Sequence, residues 1–292
     1  MYLFVPYSFF PRPPAMNPII NYLSIDVEDY FQVSAFENVI KSKKWETMEQ
    51  RIEKNMETIL NILHEHSVHA TFFVVGWVAQ KYPLLVKKIN QQGHALGCHS
   101  YWHRKVYDLT QDEFREDTQK TKDILEDIIG QPIYGYRAPS YSVTKESLWA
   151  IDILKELGFR YDSSIFPIHH DRYGIPDAPR FPYYHANGLL EYPLSTLALC
   201  GQRLPIAGGG YFRLFPYRFS RWALKKINRQ EGKPFVFYLH PWEVDPDQPR
   251  VHAASNLSKF RHYNQLHKTK SRFTQLLQDF KFQPIPPQNS TI

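Results

Sequence analysis

The chain has 292 residues, 43% apolar and 22% charged, enough to bury an ordinary core, which excludes a disordered, collagenous or coiled-coil protein. Lys plus Arg number 35 against 29 Asp plus Glu, and the resulting charge of +6 is scattered along the chain, so nothing in it calls for nucleic acid; an anionic polymer or a membrane face suits it equally. Two cysteines, Cys98 and Cys200, exclude a disulfide framework and a cysteine-built zinc module and leave room for one bridge.

The longest apolar run, Thr71 to Ala79, is about nine residues, against the roughly 18 a spanning helix needs. The opening segment has no basic stretch, and Pro6, Pro11, Pro13 and Pro14 spoil a signal-peptide core. Translation is therefore expected to begin at Met16, with residues 1–15 a non-native leader, and the lack of a signal points to the cytoplasm.

In chain order, short β-rich runs alternate with amphipathic helices, the mark of parallel strands joined by crossover helices. Ile19 to Ile25 reads as the first strand, and Met48, Ile52, Met56, Ile59, Leu60 and Leu63 recur at helical spacing over 47–66. His69 to Val75 and His94 to Cys98 are strands, separated by a helix that stops at Gly93. Thr110 and Glu113 form a capping box for a helix ending at Gly130. A strand over Tyr134 to Tyr136, a helix from Thr144 to Leu157 and a strand over Phe159 to Tyr161 follow. From 163 to 215 prolines, glycines and aromatics suggest long loops and short strands, with Leu189 to Leu194 the clearest of them. A helix begins at Pro216, Phe235 to Leu239 is an apolar strand, and a last helix over Lys270 to Phe280 precedes a strand over Phe282 to Pro284. The expected fold is α/β, a distorted, incomplete barrel of about seven parallel strands, spanning 16–245 with a C-terminal extension, 246–292, packed on the same domain.

Four polar clusters directly follow predicted strands: Asp26 to Asp29, His99 to His103, Arg137 to Tyr141 and His240 to Trp242. In a parallel barrel all strand C-termini open on one face, so these clusters would meet there. His99 and His103, four apart, can chelate one divalent ion, and Asp26, Glu28 or Asp29 can complete the set. Strand alternation places Asp26 and Glu28 on one side, with Asp29 where the strand gives out. Three ligands and an open position describe a catalytic metal. Taken singly each cluster has a plainer explanation: a chance histidine pair among 13 histidines, a helix N-cap, a structural salt bridge, a buried histidine.

Together, and in this order, the motifs resemble those of the NodB-like polysaccharide deacetylases, carbohydrate esterase family 4, over roughly residues 20 to 242. The resemblance implies that Asp26, in Ser24-Ile25-Asp26, is the general base. Val27 stands where the family has its metal-binding aspartate, so Glu28 or Asp29 would be the ligand beside His99 and His103, with Ser100 steadying their loop. Arg137-Ala138-Pro139-Ser140-Tyr141 matches the motif whose arginine pairs with the base and whose last backbone N–H holds the oxyanion. In Leu239-His240-Pro241, His240 would be the general acid. The family's aspartate and tryptophan that orient and flank this histidine have no clean match, and Asp162, then Asp171 or Glu191, are the candidates for the aspartate.

Zinc suits the nitrogen and oxygen ligands best, with cobalt, nickel or manganese also acceptable. Gly208-Gly209-Gly210, His240-Pro241-Trp242-Glu243 and His262-Tyr263-Asn264 resemble the subgroup of exosortase-associated, PEP-CTERM exopolysaccharide loci. That implies removal of N-acetyl groups from N-acetylhexosamine units of an exopolysaccharide, in association with membrane-bound assembly machinery at the inner membrane face. Rival functions are hydrolysis of a small non-sugar amide, as in allantoinase-like relatives, and carbohydrate binding without catalysis. A closed pocket would favour the former rival, and an open groove with aromatic walls a sugar polymer. Tyr30, Phe31, Tyr101, Trp102, Tyr141, Tyr211 and Trp242 are the loop aromatics that could stack on sugar.

Overall fold

Runs such as Thr71-Phe72-Phe73-Val74 and Val236-Phe237-Tyr238-Leu239 are buried at every position, the pattern of strands covered on both faces. The computed structural model describes residues 18–286, so the expected leader and the Met16 start lie outside the described residues. Its strands are β1 (Ile20–Val27), β2 (Thr71–Val74), β3 (Ala95–Cys98), β4 (Gly135–Tyr136), β5 (Tyr161–Asp162), β6 (Tyr183–Tyr184), β7 (Leu190–Glu191), β8 (Thr196–Leu199), β9 (Gln202–Pro205), β10 (Val236–Leu239) and β11 (Lys281–Gln283). The helices are α1 (Ile52–Glu65), α2 (Gly76–Lys81), α3 (Pro83–Gln91), α4 (Gln111–Ile129), α5 (Trp149–Glu156), α6 (Gly209–Leu214), α7 (Tyr217–Lys226), α8 (Asn256–Tyr263) and α9 (Leu266–Asp279).

The main sheet runs in the order β10-β1-β2-β3-β4-β5-β7-β6. All neighbours are parallel except β6, which is antiparallel at the edge, so seven parallel strands form an open, curled half-barrel as expected. β8 and β9 form a separate hairpin, and β11 returns parallel to β1, pairing Ile20 with Lys281, so the C-terminal segment packs against the first strand. Apolar spacing made α1 legible without a side-chain cap, and caps made α4 so. Thr110 accepts from the Glu113 N–H in a complete capping box, and Gly130 ends α4 at φ 67°. The short helices α6 and α8 fall where no helix was expected, and the β8–β9 hairpin lies in the stretch read as long loops and short strands. Cys98 is buried, Cys200 exposed, and neither is bridged. Among the described residues no helix is long and apolar enough to cross a membrane.

Register aligns Asp26 with Phe73, Phe73 with Gly97 and Gly97 with Gly135. A Cβ on Gly97 would stand 2.5 Å from the Phe73 ring, so glycine there makes room for the aromatic that underlies the site. Gly208, in the triple-glycine run, bridges to Tyr238 on β10 at φ 138°, and a Cβ would come within 1.9 Å of the Tyr238 carbonyl oxygen. The run is thus used for close backbone packing. Gly208→Ala is expected to destabilise the fold by roughly 1–3 kcal/mol or more through overpacking and backbone strain. Gly210, whose Cβ would meet nothing nearer than 3.9 Å, should accept alanine with little change. Denaturant midpoints of the two variants check this.

Candidate active site

The four polar clusters emerge from the C-terminal ends of β1, β3, β4 and β10, which places them on one edge of the sheet. Two of the loops hold their residues in strained backbone. Of the seven non-glycine residues with positive φ among those described, Ser100, His103, Ser140 and Tyr141 lie in the His99 and Arg137 loops.

Glu28, His99 and His103 are buried and offer ligand atoms that all lie within 4.8 Å of one another. His99 Nδ1–H donates to the Arg137 carbonyl at 2.7 Å, which turns Nε2 towards the cluster, the usual arrangement for a metal-binding imidazole. Burial holds the His99 pKa down at about 4, so the ring is neutral and its lone pair free. Burial alone would raise the Glu28 pKa, but the His103, His240 and His99 imidazoles drive it well below the usual carboxylate range. Glu28 Oε2 lies 2.6 Å from His103 Nε2 yet is left without a well-formed hydrogen bond, as is His103 Nδ1. Orphaned, converging donor atoms of this kind are what a divalent ion would satisfy.

The structure chooses between the two acidic candidates. Asp29 does not join the cluster: its carboxylate accepts from the backbone N–H groups of Tyr30, Arg51 and Ile52 at 2.8, 2.7 and 3.0 Å. It anchors the start of α1, and burial outweighs those bonds to raise its pKa to about 6. Ser100 is also corrected. Its hydroxyl has no partner, and the histidine loop is steadied by Asp117, which accepts from the Tyr101 and Trp102 N–H groups at 2.6 and 3.2 Å.

Arg137 is fully buried and spends its donors on Asp26 Oδ1 and Ser24 Oγ, both at 2.7 Å, and on Ser163 Oγ and O at 2.7 and 3.0 Å. Its guanidinium sits 4.3 Å over the Phe73 ring. Asp26 Oδ2 remains open to the groove, 3.3 Å from the Tyr141 hydroxyl and 3.9 Å from His240 Nε2. The Tyr141 N–H, expected to face an oxyanion, instead donates to the Ala138 carbonyl at 3.1 Å. Tyr141 meets the site through its hydroxyl.

His240 Nε2 lies 3.5 Å from Glu28 Oε1, and Nδ1–H donates to Glu243 Oε1 at 2.7 Å. Glu243, not Asp162, Asp171 or Glu191, is therefore its partner. Asp162 and Glu191 face each other across β5 and β7, where burial first and then mutual repulsion raise the Asp162 pKa well above normal. Asp171 pairs with His170 Nδ1 at 2.9 Å. Burial pulls the His240 pKa down, but the Glu243 hydrogen bond and the charges of Glu28, Glu243 and Asp26 outweigh it and lift the pKa to about 9.

Trp242 supplies the missing tryptophan. It stacks on His240 at 5.1 Å and on His262 at 4.1 Å, and its Nε1–H donates to Glu28 Oε1 at 3.2 Å. Buried Arg213 holds Glu243 Oε2 at 2.6 Å and donates to the carbonyls of Arg261, His262 and Asn264. Glu243 and Arg213 escaped the sequence reading, although the i, i+3 spacing of His240 and Glu243 around a proline was a usable signal. Tyr30, Phe31 and Tyr101 prove to be core residues, while Tyr141, Tyr211 and Trp242 line the groove.

Residues 41–161 match the polysaccharide deacetylase family, and residues 163–288 match a domain of unknown function, DUF3473. Residues 41–161 thus resemble a polysaccharide deacetylase region, and the DUF3473 match follows it towards the C-terminal end. The deacetylase match contains His99, His103, Arg137 and Tyr141; the DUF3473 match contains Arg213, His240, Trp242, Glu243 and His262. The site is therefore shared between both regions, with Asp26 and Glu28 brought in by β1. Over 95 residues the chain is 37% identical to the peptidoglycan-N-acetylglucosamine deacetylase of Bacillus cereus, covering 32% of this chain and 34% of that protein. Over 103 residues it is 30% identical to the chitooligosaccharide deacetylase of Azorhizobium caulinodans, covering 35% and 48%. It thus spans about a third to a half of the length of these curated relatives. The fold matches that of a Mycobacterium smegmatis protein assigned to the polysaccharide deacetylases, with TM-score 0.54 and 18% identity over 98% of this chain and 100% of that one.

Glu28→Gln is expected to abolish stoichiometric binding of a divalent ion, whereas Asp29→Asn should retain the ion and lower thermal stability; elemental analysis and melting curves separate the two. Glu243→Gln should retain the ion but lose the anionic partner of His240. Titration of His240 followed by NMR is expected to move to lower pH in that variant.

Proposed function

We propose that this protein is a metal-dependent N-deacetylase acting on N-acetylhexosamine units of a bacterial exopolysaccharide. The observation that carries the reading is the placement of a proton acceptor, Asp26 Oδ2, and a proton donor, His240 Nε2, 3.9 Å apart beside the Glu28–His99–His103 cluster. The cluster lies in a groove of about 670 Å³ whose walls include Tyr141, Tyr173, Tyr211, Tyr238 and Trp242, which supports a sugar polymer over a small amide.

Glu28, His99 and His103 would hold the ion, and zinc suits the set best. A divalent ion bound there supplies Lewis acidity towards the acetamide carbonyl and makes water a better nucleophile. Asp26 Oδ2 takes the proton from the attacking water while Arg137 and the Tyr141 hydroxyl fix the carboxylate. Hydroxide adds to the carbonyl carbon, and His240 Nε2–H gives its proton to the nitrogen as the C–N bond breaks. The products are a free amine on the sugar and acetate. Glu243 keeps the Nδ1 proton in place, so that Nε2 is the nitrogen that exchanges.

The acid role requires His240 alone, so His240→Ala is expected to retain the ion and lose roughly 10²-fold or more in turnover. Acetate release from N-acetylated chitooligosaccharides measures it, and undiminished turnover would remove His240 from the mechanism. Chelation should stop the reaction and added zinc restore it. Resemblance of the later segments to the PEP-CTERM subgroup supports an exopolysaccharide as the polymer and the cytoplasmic face of the inner membrane as the place of action.

A further inference from the structure

Charges along the groove do not balance. Its acidic lining consists of Asp26, Glu28 and Glu37. Asp26 is held by Arg137, Glu28 by the imidazoles, and Glu37 by Lys105 at 2.8 Å. Among the basic lining residues, Lys105 is thus occupied, and Arg213 is committed to Glu243. Arg172 and Arg261 remain. Both are exposed, both line the groove, and neither guanidinium has a hydrogen-bond or ion-pair partner among the described residues.

The two arginines come from different parts of the chain, Arg172 from the long connection between β5 and β6 and Arg261 from α8. Both flank His170, whose pKa burial lowers first and whose charged state each arginine further disfavours. The neighbouring carboxylate, Asp171, is engaged with the His170 ring. Against the two arginines stands the single charge of Asp171, so the groove mouth keeps a net positive charge, and a guanidinium fork is shaped for a carboxylate or phosphate. Beside them α8 turns Leu257 and Phe260 outward, 55% and 57% exposed, and Leu214 at the same rim is 44% exposed. An apolar seat next to a pair of unspent cations fits a sugar ring that bears an anionic group.

We infer that the substrate is an acidic glycan, in which a carboxylate or phosphate on a sugar near the N-acetylated unit is gripped by Arg172 and Arg261 at the groove mouth. This rests on the deacetylase reading and adds the chemistry of the neighbouring sugar. The element that reads that sugar is α8, outside the region matching the polysaccharide deacetylase family.

The test compares three oligosaccharide series of equal length: neutral N-acetylglucosamine oligomers, alternating hexuronate and N-acetylglucosamine oligomers, and N-acetylglucosamine oligomers carrying phosphodiesters. Acetate release gives kcat and KM, and calorimetry on the zinc-loaded protein gives binding independent of turnover. One anionic series is expected to have a KM and a Kd about tenfold or more below the neutral one, a margin that shrinks with added salt. The double variant Arg172→Ala, Arg261→Ala should raise both constants for that series towards the neutral values, and the double lysine variant should keep part of the preference. Which anionic series wins distinguishes a uronate from a phosphate. Equal KM and Kd across all series, or a preference that survives the double alanine variant, overturns the inference while leaving deacetylation standing. Tight, arginine-dependent binding of an acidic series without acetate release would overturn the deacetylase reading instead.

Discussion

Two fully enclosed guanidinium groups set the geometry of this site. Arg137 and Arg213 are exposed by no more than 2%, and a buried cation is tolerated only when its donors and its charge are answered on the spot. Arg137 is answered by Asp26 and by Ser24 and Ser163, residues on or just after β1 and β5. Arg213 is answered by Glu243 and by three carbonyls that begin at the end of α8. Each arginine is thus a pin through several chain segments. One fixes the Asp26 carboxylate, and the other fixes the Glu243 carboxylate that braces the imidazole opposite.

The two pins give Asp26 and His240 unlike surroundings. Asp26 sits with one oxygen tied to Arg137 and the other turned to the groove. His240 stacks on the Trp242 ring, meets the Tyr238 ring edge-on and is bonded at Nδ1, which leaves Nε2 facing Asp26 and Glu28.

Much of this was legible before any coordinates, because parallel strands deliver the residues after them to one edge. Asp26, His99, His103, Arg137 and His240 each follow a strand, and reading the strands located them. The choice of Glu28 over Asp29 was not legible, since it depends on β1 running on to Val27 and on the distant N–H groups of Arg51 and Ile52 claiming Asp29. Glu243 was hidden by the expectation of a partner far along the chain; a short turn after Pro241 folds it back beneath His240 instead. Helix α8 was invisible for a different reason. Leu257 and Phe260 point outward while polar Ser258 and His262 are buried, so the apolar spacing that betrays most surface helices is inverted there.

The reach of Arg213 to Asn264 also orders events in time. Glu28, His99 and His103 all lie in the first 103 positions, but the Arg137 carbonyl that orients His99 and the Trp242 indole that holds Glu28 lie further along. The acid arm has to wait for β10 to dock and for the carbonyls of 261 to 264 to arrive. A chain caught midway through synthesis would own the three side chains of the cluster without the indole that holds Glu28 or the carboxylate that braces His240.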